Sequence, residues 1–300
     1  MFIAVSIFRP EFASGGHIKV MMIDAAILGI LALGQTFTIL EGGIDLSIEW
    51  NMCAAGIMMT MLQKPLGLGD GQTWLLMLIT LTVTTGVGFL NGFGVAYLGI
   101  NPMIMTYGVN TIIQGVVVGL TSSTLPGGYA PESLESFALG TFLGLPNLLW
   151  VWIAVTTVFT LVLACTPFGR KIYAVGNNET VAYYSGVKVK FIKMCAYAIS
   201  GFAAGLGGIL FTGRIGQSYL GMGSFVLFQT IAVVAVGGTS MIGGSGNYIG
   251  TVAGAFILTI TNGLLSAFLI PAAVQQIVYG IILLIAVFIS ISRKKKSNVI

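Results

Sequence analysis

Polar side chains lie within or beside the long apolar stretches of this 300-residue sequence, and nine of them are of particular interest. A polar group surrounded by lipid needs a hydrogen-bond partner or water, so each of them is a functional candidate. Uncharged amides and hydroxyls suit a neutral, hydroxyl-rich solute, because they exchange hydrogen bonds with it without a counter-ion. The alternative is that they join neighbouring helices to one another. The candidates for a solute path are Gln35, Glu41, Asp45, Asn91, Thr106, Asn110, Gln114, Gln229 and Asn262.

Three acids, Glu41, Asp45 and Glu49, occupy the break LEGGIDLSIEWN between two apolar stretches. The glycine pair after Glu41 is expected to end one helix, and Asp45 or Ser47 to cap the next. A carboxylate here is either a cap or a functional group, since a charge in lipid needs a partner. A proton-coupled site would also need a base inside a span, and the predicted spans contain no Lys, Arg or His.

The segment RKIYAVGNNETVAYYSGVKVKFIK, Arg170–Lys193, contrasts with the apolar chain around it, because it holds five basic residues and one acid. Asn178 is expected to cap a short helix, Glu179–Ser185, which Gly186 would end. A two-turn helix is marginal alone in water. We therefore expect this helix to pack against the chain's own helix ends or against a separate cytoplasmic partner.

The composition places these features in a membrane protein. Hydrophobic residues make up 56% of the sequence and charged residues 7%, whereas a soluble domain carries about 25% charged residues. Helices are expected because lipid offers no partner to unpaired backbone groups. The predicted fold class is all-α, a polytopic transmembrane helical bundle formed as one domain over residues 1–300. The nine predicted spans are Met22–Leu40, Leu46–Leu62, Thr73–Tyr97, Pro102–Leu120, Asn147–Ala164, Met194–Thr212, Phe225–Met241, Tyr248–Leu264 and Pro271–Ile291.

The distribution of charge predicts the topology. Basic residues cluster in Thr166–Lys193 and Arg293–Lys296, so both segments are expected in the cytoplasm. Four spans lie between the two clusters, an even number that this arrangement requires. The loop Thr121–Pro146, with Glu132 and Glu135 but no basic residue, then lies outside. The opening stretch MFIAVSIF is too short to cross about 30 Å of hydrocarbon. We interpret it as the remnant of an N-terminal span or as a short surface segment.

Glycines recur at four-residue spacing in two parts of the chain. One strip consists of Gly246, Gly250 and Gly254, and an earlier one of Gly201 and Gly205. Such strips let helix backbones approach closely in lipid. They predict either tight packing within one subunit or an interface between two subunits.

Several classes of chemistry are disfavoured. The sequence holds no Walker A pattern, dinucleotide fingerprint or catalytic triad. Its cysteines form no CxxC pair, which disfavours a metal or redox site, and no aromatic–basic surface predicts nucleic-acid binding. The chain is therefore not expected to be an enzyme or to hold a metal. If it transports a solute, the energy must come from another polypeptide or from an ion gradient.

Three stretches carry a family resemblance: GGIDLS (Gly42–Ser47), FGRKIYAVGNNETVAYYSGVKV (Phe168–Val189) and AVGGTSMIGGSGNYIGTVAGA (Ala235–Ala255). In these stretches the sequence resembles the ribose-type permease subunits of ATP-binding-cassette importers. That family serves monosaccharides and, in one branch, the autoinducer-2 signal. The stretches occur in the family's order and spacing, and the similarity covers essentially the whole chain.

The resemblance implies that Thr166–Lys193 is a cytoplasmic coupling loop, whose short helix rests in a groove on an ATPase subunit. It also implies that this ATPase binds ATP and Mg²⁺, so the chain itself holds no cofactor. The further partners would be a second permease subunit, identical or different, and an extracytoplasmic solute-binding protein. The implied ATPase-coupling residues are Gly176, Asn177, Asn178, Glu179, Ala182, Ser185 and Gly186.

These observations predict a permease subunit in a bacterial cytoplasmic membrane, which imports a small neutral sugar or sugar-like solute by alternating access. A nucleoside or branched-chain amino-acid permease of the same architecture is the nearest alternative. An ion-coupled secondary transporter acting alone, and a membrane scaffold without transport, belong to different classes. The lack of bases in the predicted spans counts against the ion-coupled transporter.

Overall fold

The computed structural model describes residues 14–121 and 128–297, and most of this part of the chain is helical. A 3-10 turn (Asp70–Gln72) precedes α3, and two short strands, β1 (Thr141–Phe142) and β2 (Leu145–Pro146), form an antiparallel hairpin before α6. The helices are α1 (Gly15–Leu40), α2 (Ile48–Met61), α3 (Thr73–Ala96), α4 (Pro102–Leu120), α5 (Glu132–Leu139), α6 (Asn147–Cys165), α7 (Pro167–Asn177), α8 (Glu179–Tyr184), α9 (Val189–Ile215), α10 (Val226–Val236), α11 (Tyr248–Ala267) and α12 (Ala272–Ser297).

Six helices in the described ranges are long and apolar enough to cross a membrane: α1, α3 with its preceding turn, α4, α6, α9 and α11. Helix α10 and part of α12 are apolar but shorter, and α2 has 14 residues. The prediction of an all-α polytopic bundle is confirmed, and a helix lies at each of the nine predicted apolar stretches. The stretch MFIAVSIF lies outside the described residues.

The predicted span Met194–Thr212 was too short at both ends, which affects where the basic residues lie. Helix α9 begins before Met194 and continues past Thr212, so that it includes Arg214 in its last turn. The guanidinium of Arg214 lies 3.1 Å from the carboxylate of Asp24 on α1. The helix that covers this predicted span therefore contains bases that the prediction placed outside it, Lys190 and Lys193 near its start and Arg214 in its last turn.

Helices α1 and α9 form the centre of the bundle. Both are buried over most of their length, and α9 packs against α3, α1 and α2. Lipid is as apolar as leucine, so such helices are held by close van der Waals packing rather than by exclusion from water. Close packing requires that the backbones approach one another, which the glycines permit.

Both glycine strips face helices of the same chain. Gly201 lies against Gly88 of α3, and Gly254 of α11 lies against the backbone of Val233 on α10. A side chain at Gly201, Gly250 or Gly254 would overlap a facing backbone atom, and one at Gly205 would overlap the side chain of Thr84. The strips therefore serve packing within one subunit, the first of the two predicted roles.

Replacing Gly88 by alanine is expected to destabilise the bundle. The added methyl would overlap the carbonyl oxygen of Tyr197 and the backbone of Gly201, so α3 and α9 must separate. Overpacking of this kind costs about 1–3 kcal/mol. Thermal unfolding in detergent measures the loss. Gly86→Ala is the matched control, because nothing lies within 4 Å of a methyl at that position of the same helix. Equal melting temperatures for the two variants would contradict this account.

The connections gather at two ends of the bundle. One, the basic end, contains residues 41–47, 166–188 and 237–247, which are joined by a bond from Gly244 N to Leu40 O of 2.9 Å. The opposite end contains residues 62–72, 128–146 and 216–225, where the Thr60 and Ser218 hydroxyls lie 2.7 Å apart. The acidic helix α5 is at this opposite end, away from the basic loop, as the topology prediction requires.

Candidate functional site

The short helix α8 at the basic end forms as the sequence predicts. The Asn178 side chain accepts a bond of 3.0 Å from Val181 N, which caps the first turn. Gly186 has a φ of 81°, a left-handed conformation that favours glycine, and its N–H donates to Tyr183 O at 3.0 Å. Both ends of a two-turn helix are thereby closed by local hydrogen bonds.

Helix α8 is also anchored to the rest of the bundle. Ala182 is 3% exposed and belongs to an apolar cluster with Ile172 of α7 and Val189 of α9. Glu179 Oε2 lies 2.6 Å from Lys193 Nζ on α9. The helix therefore packs against the chain's own helix ends, so Ala182 holds α8 in place and has no surface to offer a partner.

The exposed side of α8 carries apolar and aromatic side chains that sequence reasoning missed. Val181, Tyr183 and Tyr184 are exposed, and the two tyrosine rings lie edge to face with centroids 5.7 Å apart. An open groove of about 830 Å³ runs beside the helix, with Tyr97 and Lys190 among its lining residues. The available signal was the Tyr-Tyr pair itself, since exposed tyrosines in a basic loop are typical of protein interfaces.

Helix α7, which precedes α8, is fitted tightly to the end of α1. A side chain at Gly176 would overlap the Leu40 carbonyl oxygen, and Asn177 Nδ2 donates to Gly244 O at 3.2 Å. The hydroxyl of Tyr173 donates to Gly246 O at 2.8 Å. A movement of α7 and α8 would therefore be transmitted directly to the end of α1 and to the segment around Gly244.

Three of the predicted solute-path residues hold the turn after α1 in place. Gln35 Nε2 donates to Asp45 O at 2.5 Å, Thr106 Oγ1 accepts from Leu46 N at 3.0 Å, and Asn91 Nδ2 donates to Ser47 Oγ at 2.8 Å. These bonds join α1, α3 and α4 to one irregular segment. These three side chains already make hydrogen bonds within the protein. They therefore join neighbouring helices, which is the alternative to a role in the solute path.

The prediction that Asp45 or Ser47 caps α2 is wrong. Ser47 precedes the helix but makes no side-chain bond to its first turn, and Asp45 accepts from Ser47 instead. The cap comes from another helix, because Asn110 Oδ1 on α4 accepts from Trp50 N at 3.1 Å. Asn110, a fourth predicted solute-path residue, is therefore structural in this arrangement.

Two other predicted residues, Gln229 and Asn262, line a cavity of about 220 Å³ between α1, α10, α11 and α12. No hydrogen bond of Asn262 occurs in the described part of the chain, and Gln229 faces the hydroxyl of Tyr279. A single water occupies about 30 Å³ of liquid, so the space has room for a small solute. The last predicted residue, Gln114, is exposed on α4 and lies apart from this cavity.

The cavity has polar and aromatic walls that sequence reasoning did not identify. The hydroxyl of Tyr279 is buried, and Phe211 and Phe225 also line the space. Asp24 lies at its wall, bonded through Oδ1 to Arg214 Nε at 3.3 Å and to Nη2 at 3.1 Å. A neutral ion pair, an amide and aromatic faces suit a polar but uncharged molecule.

A polytopic helical bundle with a largely apolar cavity that Asp24, Gln229 and Asn262 also line, and with a docked, aromatic-faced helix at one end, belongs to the class of membrane transport proteins. Residues 18–287 match the family described as the branched-chain amino acid transport system / permease component, and the chain belongs to this family. It is a multi-pass membrane protein, and its characterised relatives are transport permeases rather than enzymes.

Individual relatives match over nearly the full length. The chain is 32% identical to the ribose import permease of Haemophilus influenzae, over 94% of this chain and 87% of that protein. It is 31% identical to the D-allose transport system permease of Escherichia coli, over 95% and 87%. It is 30% identical to the autoinducer 2 import permease of Salmonella choleraesuis, over 95% and 80%. The resemblance to ribose-type permeases is thus confirmed. No solved structure matches the chain at a significant level.

Proposed function

We propose that the chain is the transmembrane permease subunit of an ATP-binding-cassette importer for a small neutral sugar or sugar-like solute. The observation that carries this proposal is α8, a capped and anchored helix that exposes Val181, Tyr183 and Tyr184 at the basic end of the bundle. A short helix that is fixed on one side and aromatic on the other is suited to transmit force from a docked protein. The names of the ribose, allose and autoinducer 2 relatives support a sugar-type solute.

The proposed topology places the basic end in the cytoplasm of a bacterium, with the chain in the inner membrane. Helices α1, α2, α3, α4, α6, α9, α10, α11 and α12 would then be the nine spans. Successive spans cross the membrane in opposite directions. Because nine is an odd number, the first span, α1, and the last, α12, both run towards the cytoplasm. The basic tail Arg293–Lys296 would lie in the cytoplasm, in accord with the preference of Lys and Arg for that side.

Three partners follow from this topology. An ATPase subunit, which binds ATP and Mg²⁺, would sit on α8 and its neighbouring groove. A solute-binding protein would deliver the solute at the opposite end. A second permease subunit would cover the outer side of α4, where Gln114 and Thr111 are exposed between apolar residues, because amides and hydroxyls facing lipid are unfavourable.

The solute would pass the cavity between α1, α10, α11 and α12 during alternating access. Gln229 and Asn262 would exchange hydrogen bonds with its hydroxyls, and Phe211 would contact an apolar face of the ring. ATP binding in the partner would press on α8, and the contact of Gly176 with the end of α1 would carry that movement to the cavity wall. The permease itself makes and breaks no covalent bond.

The direct test of this function is uptake into proteoliposomes. The chain, reconstituted with its ATPase and solute-binding protein, is expected to accumulate a radiolabelled pentose or hexose only when ATP is present. Insensitivity to an uncoupler would separate this importer from an ion-coupled transporter. Uptake that persists without the ATPase, or that never occurs with any of these partners, would overturn the proposal.

Replacing Asn262 by leucine is expected to raise the KM for uptake roughly five-fold with little change in kcat, because one hydrogen bond is worth about 1 kcal/mol. Gln229→Leu should act similarly, since both amides line the cavity. Initial rates over a range of solute concentrations give the two constants. Thr157→Val is the control, because this exposed hydroxyl on α6 bonds only Ile153 O, at 2.8 Å, and does not line the cavity. An unchanged KM in both cavity variants would place the solute elsewhere.

A further inference from the structure

The turn after α1 buries two carboxylates that lack full hydrogen bonding. Glu41 is 4% exposed and Asp45 is 0% exposed. Asp45 Oδ1 accepts from Ser47 N at 2.8 Å and from Ser47 Oγ at 2.6 Å, whereas its Oδ2 has no hydrogen-bond partner. Glu41 Oε1 is also without one. A buried, unpaired carboxylate is costly when ionised, so the group either gains a counter-charge or takes up a proton.

The unpartnered oxygen of Glu41 shares a small space with a second unpartnered group. A methyl at Gly43 would meet both Glu41 Oε1 and the hydroxyl of Tyr197 on α9, so these two oxygens flank a gap that glycine leaves open. The Tyr197 hydroxyl is buried and also lacks a partner. This pocket therefore offers a protonated carboxyl a neighbouring acceptor.

The charged groups nearest Glu41 lie on several of the elements packed around the turn, and α7, which also meets the end of α1, carries Arg170 and Lys171. Lys193 lies on α9, Glu179 on α8 and Asp45 in the turn itself, while residues 237–247 contribute no charged group. Lys193 is already paired with Glu179 at 2.6 Å. Burial raises the pKa of Glu41 to about 7, a rise that Lys193 opposes and Glu179 reinforces.

A proton fits this pocket better than a metal ion. Within residues 14–121 and 128–297, no group of three or more His, Cys, Asp or Glu side chains is placed to hold a metal. One oxygen of Asp45 is committed to Ser47, and the remaining donors around Glu41 are a phenol and a carboxylate. Hard divalent cations usually take six or more oxygen ligands, or keep several waters.

We propose that Glu41 is a proton-binding site whose occupancy is linked to the position of α8 through the Lys193–Glu179 ion pair. While the pair is formed, Glu179 offsets the charge of Lys193, and Glu41 keeps its proton. When α8 moves away, the unpaired charge of Lys193 favours the carboxylate, and Glu41 releases the proton towards the cytoplasmic side. By reciprocity, protonation of Glu41 favours the position of α8 described here. The link to α8 rests on the proposed function, whereas proton binding itself does not.

Infrared titration of the full chain in lipid nanodiscs tests the proton site directly. A carboxylic-acid band is expected to titrate near pH 7 and to be absent from Glu41→Gln. Glu132→Gln, an exposed acid at the opposite end, should leave the band unchanged. A spectrum without any Glu41-dependent band between about pH 5 and pH 9 would overturn the proposal, because the ordinary pKa of a glutamate is 4.5.

The link to α8 has a sharper signature, since the two partners of one ion pair should act in opposite directions. Lys193→Met removes a positive charge and should raise the midpoint of the Glu41 band, whereas Glu179→Gln removes a negative charge and should lower it. If the two charges do not act on Glu41, both midpoints should stay at the wild-type value or shift together. That result would overturn the link, and because the titration needs no ATPase, it is independent of whether the importer function holds.

Thermal stability gives a second readout of the proton site. Glu41 binds its proton more tightly in the folded chain than at its ordinary pKa of 4.5, so the folded state is favoured at low pH. Relative to Glu41→Gln, the melting temperature of the wild type should fall as pH rises from about 4.5 and level off above about 7. A constant difference across this range would contradict the assignment.

Discussion

Replacing Tyr184 by glutamate is expected to abolish ATP-dependent uptake while the chain still folds and inserts. Tyr184 is 83% exposed, so its loss removes little packing within the chain. An exposed tyrosine beside a second one is the kind of side chain that dominates an interface, and truncating such a residue costs about 2 kcal/mol or more. A carboxylate would in addition have to be desolvated on docking. Copurification of the ATPase with the permease measures the loss of binding.

The matched control is Tyr129→Glu. Tyr129 is also 83% exposed but lies at the opposite end, next to Gln217, where no ATPase would dock. The amount of ATPase that copurifies with Tyr129→Glu should equal that of the wild type, because the proposed partner at that end is the solute-binding protein. If Tyr184→Glu copurifies with a full complement of ATPase and transports normally, the exposed side of α8 is not the docking surface.

Local sequence patterns were sufficient to predict the main features of the basic end. The cap at Asn178 and the left-handed Gly186 depend on residues within one or two turns of α8, so the sequence contains the whole interaction. The apolar stretches likewise predicted a helix at each position, because backbone bonding in lipid depends on composition rather than on a particular neighbour.

Features that depend on contacts between distant helices were not predictable. The cap of α2 comes from Asn110, which is 60 positions away from Trp50, and no local pattern identifies such a donor. The Asp24–Arg214 pair joins residues 190 positions apart. The buried face of α8 is determined by its contacts with α7 and α9. The sequence therefore predicted that Ala182 belongs to the helix, but not that its side chain is buried.

The predicted solute-path residues also differ in whether their role depends on distant contacts. Apolar surroundings identified polar residues of interest, but only the fold separates groups that bond to a backbone from groups that face a cavity. Gln35 and Thr106 hold the turn after α1, whereas Gln229 and Asn262 line an internal space. The turn and the cavity lie on the same helix, α1, whose last residue contacts α7. Solute binding and docking are therefore joined by one rigid element.

Replacing Gly176 by alanine is expected to uncouple uptake from ATP hydrolysis. The added methyl would overlap the Leu40 carbonyl oxygen and the amide nitrogen of Gly244, so α7 must move away from the end of α1. Overpacking costs about 1–3 kcal/mol, which is enough to open one contact without unfolding the bundle. Because α8 keeps its cap and its exposed tyrosines, the ATPase should still bind and hydrolyse ATP.

The measurement is the ratio of solute transported to ATP hydrolysed in proteoliposomes. This ratio should fall towards zero in Gly176→Ala, while ATPase binding stays at the wild-type level. Gly86→Ala on α3 is the control, since nothing lies within 4 Å of a methyl at that position. Gly176 lies where α7 meets the Leu40 carbonyl of α1. A normal ratio of transport to hydrolysis in Gly176→Ala would therefore contradict the proposal that movement reaches α1 through this contact. A loss of ATPase binding would instead mean that the position of α8 itself depends on this contact.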